Sequence, residues 1–278
     1  MRVNKEKVRL IALAAVVLSV AYGCVVSGTG KGCASSWEGK KVLVLGDSIS
    51  DPALGNRWKN YWAYLPEMLG IEPVVYGVNG HQWTGVLEQA KKAKAEVGDS
   101  VDAVFVFAGT NDFNGDVPLG EWYDIKDTEV NRKGKMMVLP RRTFSRNMKT
   151  FKGRVNTVLE YLKTEFPDAQ IVLLTPIHRA YFTCGGNNIQ PDESYPNGLG
   201  LYVESYVDTV REGGRIWSVP VVDLYAESSL CPLIAKQGAL FANPELDRLH
   251  PSSEGHRRIA LLLDSRLRAL PATFRRAE

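Results

Sequence analysis

Cysteine and histidine are scarce in this chain, with four of each among 278 residues. No Cys-x-x-Cys pair occurs, and His81, His178, His250 and His256 fall at no metal-ligand spacing, so the sequence offers no metal site and calls for no cofactor. Cys33, Cys184 and Cys231 remain after Cys24, an odd set without an obvious disulfide framework, although a Cys184–Cys231 bridge stays open for an exported chain. Any basic run interleaved with aromatics is also absent. The formal charge is +3, and Arg2, Lys5, Lys7 and Arg9 stand against only Glu6 in the first 23 residues, so the remainder is near neutral. That balance sets nucleic acid aside as a partner. Long apolar runs are missing too: Leu10 to Val20 is too short to span a bilayer comfortably. No internal repeat or compositional break marks a second domain.

What stands at the start is a targeting segment. Basic residues followed by an apolar stretch read as a secretory signal over 1–23. Ala21-Tyr22-Gly23-Cys24 resembles a bacterial lipoprotein cleavage box, with Tyr22 bulkier than the residue usual there. On this reading Cys24 is acylated and anchors an exported protein to a membrane through its lipid alone. The alternative is a soluble exported protein cut near the same place. Residues 24–40, with Gly28, Gly30 and Gly32, read as a flexible tether.

From residue 41 to about 270 apolar runs alternate with helical patterns. Strands are expected at Val42–Leu45, Pro73–Tyr76, Val101–Ala108, Gln170–Thr175 and Val219–Leu224. Helices are expected at Tyr61–Leu69, Thr84–Glu96, Ser145–Glu165, Leu201–Glu212 and Ser252–Leu267. This alternation implies one α/β domain with a mostly parallel sheet covered on both faces. Phe113 to Thr143 breaks it, with Asn131-Arg132-Lys133-Gly134-Lys135 reading as a turn between short extended pieces. An insertion of that length is expected to form a lid or binding rim.

The chemistry gathers where strands end. Val42-Leu43-Val44-Leu45 stops at Gly46-Asp47-Ser48, which puts a serine at a strand's carboxyl end, where open α/β sheets handle ligands. Gly77-Val78-Asn79-Gly80-His81 follows the second strand, and Gly109-Thr110-Asn111-Asp112 follows the third. Near the end, Asp247-Arg248-Leu249-His250-Pro251 precedes the last helix. Three residues apart on a loop, Asp247 can accept the Nδ1–H of His250 and leave Nε2 free to take a proton from a serine. No Gly-x-Ser-x-Gly surrounds Ser48, which argues against an α/β-hydrolase elbow.

Gly-Asp-Ser, Gly80, Gly-Thr-Asn-Asp and Asp-x-x-His-Pro, in that order, resemble the SGNH (GDSL-type) hydrolases from about Lys41 to Leu267. The resemblance implies a three-layer flavodoxin-like fold around a five-stranded sheet. It also implies a Ser48 nucleophile, a His250 base and an Asp247 orienter. The oxyanion hole it implies comprises the backbone N–H groups of Ser48 and Gly80 and the side-chain amide of Asn111.

Around this set, His81 and Trp83 are expected to narrow the pocket. Trp122 and Tyr123 would stack on a sugar or shield an acyl group, or else pack the insertion onto the domain. His178 and Arg179, after the fourth strand, either line the cleft or hold structure. Asp47, Asp112 and Asp223 read as braces, and His256 as a surface or packing residue. Trp58, Tyr61 and Trp62 form an aromatic wall or helix core. The leading expectation is an exported serine esterase, an O-deacetylase of acetylated carbohydrate. A short-chain lipase, an acyltransferase and a non-catalytic glycan-binding protein are the alternatives, and the sequence leaves oligomeric state open.

Overall fold

A computed structural model of the protein describes residues 35–55, 57–270 and Phe274. The expected signal, Cys24 and most of the tether lie outside the described residues. In chain order the elements are β1 (Lys41–Gly46), α1 (Leu65–Leu69), β2 (Glu72–Val75), α2 (Trp83–Val97), β3 (Ala103–Phe107) and α3 (Thr110–Asn114). There follow β4 (Tyr123–Arg132), β5 (Lys135–Phe144), α4 (Phe151–Glu165), β6 (Gln170–Leu174), β7 (Phe182–Thr183) and β8 (Ile189–Gln190). The chain closes with α5 (Val203–Trp217), β9 (Val221–Val222), α6 (Leu224–Glu227), β10 (Phe241–Asn243), β11 (Asp247–Pro251) and α7 (Ser253–Ala269).

The five-stranded sheet runs β2-β1-β3-β6-β9 and every pairing in it is parallel. This is the expected flavodoxin-like order, with its switch point between β1 and β3. Strands β1, β3 and β6 are apolar along almost their whole length because both faces are covered. One face packs Trp83 and Val86 of α2, Phe151 and Val155 of α4 and Tyr206 and Val210 of α5. The other packs Leu65 and Leu69 of α1 with Ile259, Leu263 and Leu267 of α7.

Several boundaries shift for local reasons. The helix expected from Ser145 begins at Phe151, because Thr150 caps it and its Oγ1 accepts the Gly153 N–H at 3.4 Å. The stretch Tyr61–Leu69 splits into a 3₁₀ turn and α1, with Pro66 in the first turn of α1. The fifth strand keeps only Val221 and Val222. Cys184 and Cys231 are both free thiols, so no bridge joins them.

Two features correct the sequence reading. Asp247 and His250 lie not on a loop but on β11, within a second, antiparallel sheet ordered β10-β11-β7-β8. The insertion is not a rim of short pieces: β4 and β5 form a ribbon of ten-residue strands closed at Lys133 and Gly134. Both turn residues have positive φ, 55° and 77°, as a two-residue hairpin requires. At the ribbon's base Trp122 is buried in the core, while Tyr123 stacks on Phe144 at 5.5 Å and Phe144 on Trp217 of α5 at 4.2 Å.

Candidate active site

Ser48 owes its position to the exit from β1. A Cβ on Gly46 would lie 2.5 Å from the Phe107 carbonyl oxygen, so only glycine lets β1 and β3 end side by side. Gln89 of α2 clamps that exit: its Oε1 accepts the Gly46 N–H at 2.9 Å and its Nε2 donates to the Gly46 carbonyl at 2.8 Å. One residue on, Asp47 Oδ1 accepts the Ile49 N–H at 3.0 Å and tightens the turn.

The Ser48 hydroxyl then meets the second sheet. Ser48 Oγ lies 2.9 Å from His250 Nε2, and His250 Nδ1 lies 2.9 Å and 3.1 Å from the two Asp247 carboxylate oxygens. Asp247 Oδ1 also accepts the backbone N–H of His250 at 2.9 Å, which holds the carboxylate in place. With the Nδ1 proton directed at Asp247, Nε2 is the acceptor for the serine hydroxyl. Trp58 stacks on the imidazole at 5.8 Å and Phe182 meets it edge-on at 5.2 Å, so two rings restrict its swing.

The other expected donors, Gly80 and Asn111, line the same cleft as the hydroxyl. Among the described residues, the backbone N–H groups of Ser48 and Gly80 donate no hydrogen bond. Gly80 has φ 77°, with open space where a Cβ would project, and Asp51 Oδ2 steadies its loop by accepting the Asn79 N–H at 2.8 Å. Asn111, on α3, gives one amide hydrogen to the His81 carbonyl at 3.1 Å and borders the cleft. Behind it runs a brace. Gln82 Nε2 donates to the Asn111 carbonyl at 3.0 Å, and Arg154 Nη1 donates to Gln82 Oε1 at 3.0 Å and to Asp112 Oδ1 at 2.8 Å. Asp112 Oδ2 accepts the Trp83 N–H at 3.1 Å, tying the start of α2 to the same network.

The residues read with a packing or bracing alternative take that role, and His81 and Trp83 turn away from the cleft. Trp83 is fully buried against Phe151 and Trp122 is buried with it, so neither faces the cleft. Tyr123 is committed to the ribbon's base, and no residue of β4 or β5 lines the cleft. His81 turns its Nδ1 toward Gln89 Nε2 at 3.0 Å and does not narrow the pocket. His178 pairs with Glu193 at 2.6 Å and stacks on Tyr225, away from the cleft. Arg179 is buried one layer beneath: it donates to Thr110 Oγ1 at 3.1 Å and to Gln190 Oε1 at 2.5 Å, linking α3 to β8. His256 is buried, with its Nδ1 accepting the Tyr61 N–H at 3.2 Å, and Asp223 caps α6 and pairs with Arg211.

The cleft itself holds about 560 Å³. Its walls include residues the sequence reading missed: Asn79, Gln82, Asn114, Asn188, Gln190 and Phe182. Asn79 and Gln82 adjoin candidate positions in sequence and Asn114 lies three residues beyond Asn111, but Phe182, Asn188 and Gln190 belong to short strands and a loop with no local signature.

Two buried carboxyls shape the pH response. Burial pushes Asp47 up to about 7, against the opposing pull of the Ile49 N–H and His250. Burial also lifts Asp112 to about 6, with the Arg154 guanidinium opposing it. Both hold protons in the folded chain at pH values where the unfolded chain has lost them. Stability therefore falls as pH rises from the ordinary carboxyl value of 3.8 to about 7. Asp47→Asn keeps an acceptor for Ile49 and removes the ionisation. Its Tm advantage over the parent should widen by several degrees from pH 4 to pH 8; an equal offset at both pH values would exonerate Asp47.

A serine hydroxyl backed by an imidazole–carboxylate pair and faced by neutral donors, at the switch point of a parallel sheet, defines a serine hydrolase. Residues 44–258 match the GDSL-like lipase/acylhydrolase family, and the chain belongs to it. It is a carboxylic ester hydrolase. Solved structures share the fold. A Lactobacillus plantarum protein is 24% identical, with a TM-score of 0.63, 84% of this chain and 98% of that one being covered. A possible lipase from Chitinophaga pinensis is 23% identical at a TM-score of 0.63, covering 83% and 98%. A third structure is 27% identical at 0.64, covering 85% and 99%. No curated protein matches the sequence.

Proposed function

We propose that the protein removes acetyl groups from acetylated carbohydrate through an acyl-enzyme on Ser48. Ser48 Oγ attacks the ester carbonyl carbon while His250 Nε2 takes the hydroxyl proton, and Asp247 steadies the resulting imidazolium through Nδ1–H. The carbonyl oxygen becomes an oxyanion that accepts from the N–H groups of Ser48 and Gly80 and from the free amide hydrogen of Asn111. When the intermediate collapses, the departing sugar oxygen takes the proton from His250. Water then attacks acetyl-Ser48, His250 accepts its proton, and acetate leaves with the serine hydroxyl restored.

The observation that supports carbohydrate is the polarity of the cleft wall. Six side-chain amides, of Asn79, Gln82, Asn111, Asn114, Asn188 and Gln190, border it. Amides both donate and accept, as sugar hydroxyls do, whereas a lipase groove must be apolar along the length of its acyl chain. Trp122 and Tyr123 pack the insertion onto the domain, the other of their two readings, and offer no aromatic platform at the cleft.

A series of p-nitrophenyl esters tests the reading. In an apolar groove each buried methylene would add about 0.8 kcal/mol of binding, so kcat/KM would climb steeply with chain length. Here kcat/KM is expected to fall from acetyl to octanoyl, and acetylated polysaccharide should release acetate. A rise toward octanoyl makes the protein a lipase.

A further inference from the structure

The β4–β5 ribbon does nothing for the cleft, and it leaves a surface that water alone does not explain. Between Asp124 and Thr143 only Thr128 and Leu139 are even half-buried. Yet Ile125 is 68% exposed, Val130 43%, Met136 60%, Met137 39% and Val138 62%. Contiguous exposed apolar side chains mark contact surfaces on soluble folds.

The placement of these side chains narrows what they contact. Directly opposed residues of an antiparallel pair share a face, and successive residues alternate. Val130 opposes Met137, so that pair lies on one face; Val138 opposes Glu129 and Met136 opposes Asn131, on the other face. Both faces of the ribbon are therefore apolar at the same distance from its tip. A second copy or a folded protein resting on one face would leave the other in water. A fluid lipid interface surrounding the tip would cover both.

Charge points the same way. The ribbon carries six basic residues, Lys126, Arg132, Lys133, Lys135, Arg141 and Arg142, against Asp124, Asp127 and Glu129. Arg132, Lys133 and Lys135 crowd the turn itself, next to Val130 and Met136. Basic side chains flanking apolar ones suit a boundary where headgroup phosphates lie above acyl chains.

We propose that the tip of this ribbon, residues 129–138, docks the protein onto an anionic phospholipid surface. Val130, Met136, Met137 and Val138 enter the interface, and Arg132, Lys133 and Lys135 contact lipid phosphates. The stacks of Tyr123 on Phe144 and Phe144 on Trp217 anchor the ribbon to α5, so docking there holds the domain itself.

Hydrogen exchange in the full chain, read on peptides from 124–143, isolates this surface from any other membrane contact the chain makes. Vesicles of phosphatidylcholine with phosphatidylglycerol are expected to slow exchange there by about tenfold, and phosphatidylcholine alone to slow it far less. Replacing Arg132, Lys133 and Lys135 together by Gln should raise the anionic lipid needed for half-protection by roughly 100-fold, since each basic residue near such a surface contributes about 1 kcal/mol. Met136→Asp with Val138→Asp should abolish protection while leaving p-nitrophenyl acetate turnover and lipid-free exchange unchanged. Unaltered exchange of the parent on vesicles overturns the proposal. So does protection that survives the aspartates, or protection without lipid that grows with protein concentration, which would assign the ribbon to a second copy.

Discussion

Ser48→Ala is expected to lower kcat for p-nitrophenyl acetate by roughly 10⁴- to 10⁶-fold while the fold persists. The reason is geometric. Ser48 Oγ sits 2.9 Å from His250 Nε2, and the hydroxyl is the only group in that arrangement able to form the acyl-enzyme. Alanine fits the same turn, because the bonds holding it come from Asp47 and Gln89 rather than from the serine side chain. His250→Ala should cost a similar factor, and the double variant should be hardly slower than either single one, because nucleophile and base act as one unit. Near-parent turnover by Ser48→Ala would remove the serine mechanism altogether.

The second large effect is at Asn111. Asn111→Ala should cut kcat by about 10²- to 10³-fold with little change in KM. Its amide is neutral and already fixed by the His81 carbonyl, so it gains most when negative charge develops on the substrate oxygen. The Gln82–Arg154–Asp112 brace holds the backbone of α3 independently of that side chain, so the loss reports the donor and not a collapsed helix. A change confined to KM would recast Asn111 as a substrate-binding residue.

How much of this was legible in the sequence depended on the range of the interaction that decides each feature. Strands β1, β3 and β6 announce themselves because burial on both faces writes a continuous apolar run. Gly46, Gly77 and Gly109 mark where such runs stop, and Ser48, Gly80, Asn111, Asp247 and His250 stand close behind those stops or beside a helix start. The ribbon was harder to read: neither face of β4 is buried, so the two-residue alternation that betrays a strand never appears. Aromatic residues misled for the converse reason. Trp83 and Trp122 carry no local mark of burial; Phe151 of α4, edge-on to Trp83, and Gly213 of α5, beside the Trp122 ring, make them core. The Arg154–Asp112 pair spans 42 residues, and no pattern along the chain couples its members.

The hydroxyl and its base also belong to different sheets, 202 residues apart, and this sets a clock on the enzyme's own synthesis. The strand leading into Ser48 is among the first parts of the domain to leave the ribosome, and β11 is nearly the last. Until β11 docks, the serine has no base and the nascent chain is inert. Ester cleavage can begin only when almost the entire domain has emerged and closed, so turnover during refolding should lag behind formation of the parallel sheet.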